Sequence, residues 1–239
     1  MAILWIVGIA FFVFLLVGLA IASFGFEQFL SDFERLNQRP CKIHMSPSEY
    51  IAKIEQKHLK NGIKVYRSRG GDYYINGSIN LSDQTLTKFS LASLAIISHE
   101  MGHAKQDESG TNIKKLNKLR KAGRILGRFL LLFLLIGVVF IALYFFDVLT
   151  SNIYLYLGIA SLILAVCIFL YALYEKFQEI KIEKEASDFA ILFMKDYLTS
   201  EDLKECEDLL NSARLTYWAD FFKAMLGFTF LTKRTKLFR

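Results

Sequence analysis

Three long stretches of this chain carry no charged residue, and they limit what it can become more than any other feature. Ala2–Phe26 is 25 positions long, Phe129–Phe146 is 18, and Val148–Tyr174 is 27, with Ile153–Tyr174 as its spanning part. A helix needs about 20 apolar residues to cross ~30 Å of hydrocarbon at ~1.5 Å per residue. Buried core helices seldom run that far without a charge, so three membrane spans are expected. Mean hydropathy is +0.33 although 22% of residues are charged, which requires apolar residues gathered into blocks. An apolar share of 54% with 2 prolines excludes disordered and collagen-like chains. Ala20-Ile21-Ala22 resembles a signal cleavage site, but no basic segment precedes the apolar run and the run is too long. An uncleaved anchor is expected. Cys41, Cys167 and Cys206 form no pair at metal or redox spacing, which argues against a secreted disulfide scaffold.

Orientation follows from the cations. Of 29 Lys and Arg residues, 18 lie between the first and second apolar blocks and 11 follow the third. The N-terminal side and the Asp147–Asn152 loop have none, so the N-terminus is expected outside and all other soluble parts in the cytoplasm. Lys114–Arg128 holds seven cations and no acid directly before the second block, and reads as a topology signal. The basic residues cluster at a membrane boundary and follow no recognition motif, so nucleic acid is not an expected partner.

Between the first two blocks, Ser46-Pro47-Ser48-Glu49 is a helix-start signal, and the helix is expected to end at Asn61-Gly62. Ile63–Arg67 alternates like a half-buried strand. Tyr73–Ile75 and Ser78–Leu81 flank Asn76-Gly77, a strong hairpin signal, and a helix is expected to begin near Ser82 or Thr87.

The helix expected over Leu91–Gln106 contains His99-Glu100-Met101-Gly102-His103. One helical turn apart, His99 and His103 can both address one ion, while Glu100 can reach a water on it without being a ligand. Two imidazoles suit zinc, and a catalytic site wants a third protein ligand plus an open position. No histidine follows His103, so the third ligand should be a carboxylate on another helix. Glu179, Glu183 and Glu185, after the third block, all qualify by spacing. Asp188 could orient a ligand imidazole. Tyr217 and Arg214 are the candidates to stabilise a developing oxyanion.

With these pieces in order, the chain resembles the YugP-type neutral zinc metallopeptidases of bacterial membranes. The matching segments are Met45-Ser46, Asn61-Gly62-Ile63, Asp72-Tyr73-Tyr74, Asn80-Leu81-Ser82, His99 to Gln106, and Glu183-Lys184-Glu185-Ala186-Ser187. The resemblance runs over nearly the whole chain. It implies zinc held by His99, His103 and Glu183, with Glu100 as the catalytic carboxylate. The segment from Asp72 to Ser82 is shorter than the family pattern. The C-terminal apolar helix of the family is interrupted here by Asp220 and Lys223, so residues 214–231 are expected to lie at the membrane interface, with a fourth span as the alternative.

The expected architecture is a mainly α membrane protein: an anchor (1–26), a cytoplasmic catalytic region (27–128) with a β-hairpin and the H-E-x-x-H helix, a transmembrane hairpin (129–174), and a cytoplasmic helical region (175–239). The soluble part is expected to be a small α+β, zincin-like domain. A helix continuing from the third span would carry Glu183 ~13 Å beyond the hydrocarbon. The expected activity is a zinc-dependent metallopeptidase cleaving cytoplasmic or juxtamembrane protein segments, its partners being the substrate polypeptide and the bilayer. The alternative is a non-catalytic zinc-binding membrane scaffold.

Overall fold

The computed structural model describes residues 2–43, 45–110 and 113–225. The chain is mostly helical, with a small sheet. Its elements are α1 (Ala2–Gln38), α2 (Pro47–His58), β1 (Lys64–Ser68), β2 (Tyr73–Ile75), β3 (Ser78–Ser82), α3 (Asp83–Thr87), α4 (Leu91–Glu108), α5 (Ile113–Phe145), α6 (Asn152–Met194) and α7 (Ser200–Met225). Among the described residues, three helical segments, Leu16–Gln38, Lys115–Phe145 and Asn152–Met194, are long and apolar enough to cross a membrane.

The chain forms two compact units. One joins Met1–Ile113 to Ile180–Arg239, and the other is Lys114–Glu179. Within the second, α5 and α6 turn back on each other at Asp147, which adopts a positive φ of 55°. Near the open end of this hairpin, Arg120 donates to Glu179 at 2.6 Å and the Tyr171 hydroxyl donates to the Leu119 carbonyl at 3.2 Å. Its outward side chains, Leu135, Val138, Phe145 and Phe146 among them, are large, apolar and exposed.

The first unit holds the core. Every residue of α4 from Leu91 to Gly102 is buried, which is why its sequence opens with an almost unbroken apolar run. Leu94, Ile97 and Met101 pack with Tyr50 and Ile54 of α2 and with Phe193 of α6. Each such fully buried side chain contributes about 1.5–3 kcal/mol relative to exposure. α2 begins with the expected capping box: the Ser46 hydroxyl accepts from the Glu49 amide, and Glu49 accepts from the Ser46 amide. It ends at His58, earlier than Asn61-Gly62, because the following chain is claimed by another helix. The Glu108 carboxylate accepts from the Lys60 and Asn61 amides, and Lys105 donates to the His58 carbonyl.

The sheet has the order β1-β3-β2, with β1 parallel and β2 antiparallel to β3. Asn76 (φ 46°) and Gly77 (φ 78°) take the left-handed conformations that a two-residue hairpin turn demands. The alternation in Ile63–Arg67 predicts a half-buried strand, but Lys64 to Arg67 are all exposed, because β1 is an edge strand of the sheet. The helix expected from Ser82 or Thr87 is divided. Ser82 caps the short α3, and Ser90 caps a fresh start at α4. Buried Asp72 accepts from the Ser82 amide at 2.6 Å and from the Thr85 hydroxyl at 3.0 Å, locking the sheet to α3. The Asp72 and Ser82 segments of the resemblance are thus a structural clasp. Of the C-terminal segment 214–231, residues 226–231 lie outside the described residues.

Candidate metal centre

α4 carries His99, Glu100 and His103 on adjoining faces, and α6 crosses them at closest range where α4 has a glycine. A Cβ at Gly102 would stand 2.3 Å from the Ala186 carbonyl oxygen, so only glycine admits this approach. That contact brings Glu183, one turn before Ser187, over the two imidazoles. The Nε2 atoms of His99 and His103 each lie 3.3 Å from Glu183 Oε2. The three ligand atoms lie within 4.8 Å of one another. Ligands held ~2.0–2.2 Å from a tetrahedral zinc are separated from each other by ~3.3–3.6 Å, so the imidazole-to-carboxylate spacing fits such an ion. The donor set, two imidazoles and one carboxylate, is also that of a catalytic zinc site with one open position.

The outer nitrogens are held by groups that decide which nitrogen faces the ion. Gln106 Nε2 donates to the Ile182 carbonyl (2.8 Å) and to Glu185 (3.0 Å), which turns its Oε1 toward His103 Nδ1 at 2.9 Å. His103 therefore donates through Nδ1, which leaves Nε2 facing Glu183, where it could ligate an ion. The Ser187 hydroxyl donates to the Glu183 carbonyl, leaving its oxygen to accept from His99 Nδ1 at 3.3 Å. Asp188, for which the sequence left open either this role or that of a surface carboxylate, is exposed. Gln106 and Ser187 close two of the segments that carry the resemblance, but the sequence assigned neither of them a role. Gln106 had a usable signal, since it stands three residues after His103 on the same helical face.

The electrostatics are those of a site short of positive charge. Glu100 is 2% exposed, and burial pushes its carboxyl up to about 8 despite the opposing pull of His103. The Tyr74 amide of β2 donates to Glu100 and partly offsets that rise. Burial also pushes His99 down. His103 goes the other way: burial disfavours its charged form, but the charge of Glu183 outweighs this and raises it to about 9.

Tyr217 of α7 reaches the cluster, its hydroxyl donating to Glu183 Oε2 at 3.1 Å. Arg214 does not: it makes no hydrogen bond or ion pair among the described residues. Of the carboxylates left open by spacing, Glu183 joins the imidazoles and Glu185 holds Gln106. Glu179 pairs with Arg120 and Lys176. Comparison with curated proteins and with solved structures gives no match. Residues 8–234 match the family described as "Putative neutral zinc metallopeptidase", and the chain belongs to that family.

Proposed function

We propose that this protein is a YugP-type, membrane-bound zinc endopeptidase that hydrolyses peptide bonds in cytoplasmic or juxtamembrane segments of other polypeptides. The convergence of His99, His103 and Glu183 on a zinc-sized space, with Glu100 adjoining it, is the observation that carries this reading. His99, His103 and Glu183 would hold the ion. Bound zinc supplies Lewis acidity, polarising the scissile carbonyl and lowering the pKa of water toward ~7.

The remaining steps belong to the chain. Glu100 takes a proton from the attacking water and passes it to the leaving amine. Glu100, which burial raises to about 8, would be favoured in the ionised form that a base needs once an ion were held by His99, His103 and Glu183. The Tyr217 hydroxyl, already at the edge of the cluster, donates to the oxyanion as it forms. Gln106 and Ser187 keep both imidazoles in the ligating tautomer. An extended substrate would lie along the Tyr73–Ser82 hairpin, close to Glu100, reading backbone more than side chains.

The three long apolar helices support anchoring in a bilayer, and the distribution of cations supports a cytoplasmic site with the N-terminus outside. The Glu100→Gln protein is the test. Zinc content should be unchanged, while turnover of a peptide library should fall about 10²- to 10⁴-fold. Equal, metal-insensitive activity in both proteins would remove the peptidase reading. Zinc bound with no turnover in either would favour a scaffold.

A further inference from the structure

α1 and α7 pack along each other within the same compact unit as the metal centre, and α1 serves as a ruler for its depth. Arg35 of α1 pairs with Glu205 of α7 at 2.6 Å. Ten residues earlier on α1, a Cβ at Gly25 would stand 2.5 Å from the Leu215 Cβ, ten residues later on α7. The helices therefore run antiparallel and in step. Gly25 itself lies in the uncharged run, and Gly18, seven residues further along α1, is buried as well. Tyr217, two residues past Leu215 and ~3 Å along the axis, stands level with Ser23. Its hydroxyl touches Glu183, so the metal centre lies within one side chain of that level.

The uncharged run Ala2–Phe26 is 25 residues, ~37 Å as a helix, and exceeds the ~30 Å hydrocarbon core by a turn or more. Centred on that core, the run passes each face by ~4 Å, so its last turn, Ser23–Phe26, straddles the boundary between hydrocarbon and headgroups. Residues on α7 at this level suit that zone. Tyr217 and Trp218 are the amphipathic aromatics that favour an interface. Arg214, level with Phe26, is half-buried and has no protein partner among the described residues, leaving its guanidinium to a lipid phosphate.

We infer that the metal centre lies at the headgroup level of the bilayer, and that its substrates are the segments of membrane-anchored polypeptides immediately adjoining their own spans. The inference rests on α1 being a membrane span, and its substrate half rests on the peptidase reading above.

Two measurements on the full-length protein in liposomes test it. Trp5 and Trp218 are the 2 tryptophans of the chain, so in Trp5→Phe protein the fluorescence reports on Trp218 alone. Lipids carrying a quencher near the headgroup end of the acyl chain should quench it at least about twofold more than lipids carrying it at the chain end, as for an interfacial tryptophan. No quenching by either lipid, or stronger quenching from the chain end, would overturn the assigned level. The second measurement offers one cleavable sequence at increasing distance from a transmembrane anchor. A bond ~3 residues from the anchor, at ~3.3 Å per extended residue, should still be cut. Loss of cleavage there, while a bond ~25 residues away is cut, would overturn the substrate assignment. No cleavage at any position, with Trp218 quenched as expected, would remove the peptidase reading and leave the depth of the site standing.

Discussion

Glu179 and Glu183 stand one turn apart on α6, both nearly buried, and meet opposite kinds of partner. Glu179 lies against permanent cations, Arg120 at 2.6 Å and Lys176 at 2.7 Å. Glu183 faces two imidazoles and a phenol, none of which must carry charge. A buried carboxylate among cations is already compensated. One among neutral donors draws in a proton, as the rise of His103 to about 9 shows, or else a metal ion. Two acids with the same burial on the same helix are thus divided into a structural pair and a candidate ligand by what the neighbouring helix presents.

Exchanging the two acids in turn should give the largest contrast. Glu183→Gln should reduce bound zinc from about one per chain to near zero, since only two protein ligands remain. Glu179→Gln should keep its zinc and instead lose about 3–5 kcal/mol of stability, because Arg120 is left buried without its partner. Metal analysis and denaturation of both proteins would check this, and loss of zinc from Glu179→Gln alone would reverse the assignment.

Next in size is the effect of the groups behind the imidazoles. Gln106→Ala should weaken zinc binding about 10- to 100-fold, the usual range for partners of a ligating histidine, while Asp188→Ala should change nothing. Competition against a chelator of known affinity measures both. pH should act through His103. A group raised to about 9 holds its proton at neutrality and must release it to bind metal, so affinity should rise about tenfold per pH unit until about pH 9. Calorimetry in buffers of different ionisation enthalpy should register at least one proton released per zinc at pH 7, from His103 and in part from Glu100, and no released proton would contradict the pairing with Glu183. The smallest effect is expected at Gly102→Ala, where a methyl group meets the Ala186 carbonyl. About 1–3 kcal/mol of stability should be lost, and zinc affinity with it, as α4 and α6 are wedged apart.

Much of the fold could be read from local signals because local physics produces it. The uncharged blocks became parts of α1, α5 and α6, Ser46 to Glu49 became a capping box, and Asn76-Gly77 became a turn. His99 and His103 share a helical face because a five-residue motif within an apolar run leaves little else for them to do. What spacing could not choose depended on partners far along the chain. Glu179 is claimed by Arg120, 59 residues before it, and nothing near Glu179 announces that. Ser187 and Gln106 took the place expected for Asp188, since the crossing at Gly102 turns Ser187 inward and Asp188 out. α2 stops short of Asn61-Gly62 for the same reason, because the Glu108 carboxylate that captures the Lys60 and Asn61 amides comes from α4.

The most direct measurement is the structure of the purified protein loaded with zinc, with the ion located by anomalous scattering at its absorption edge. The ion should be bound by Nε2 of His99, Nε2 of His103 and a Glu183 oxygen at ~2.0–2.2 Å, with a fourth position facing Glu100 and Tyr217. An ion seated on any other carboxylate, or away from the two imidazoles, would contradict the arrangement from which the proposed chemistry follows.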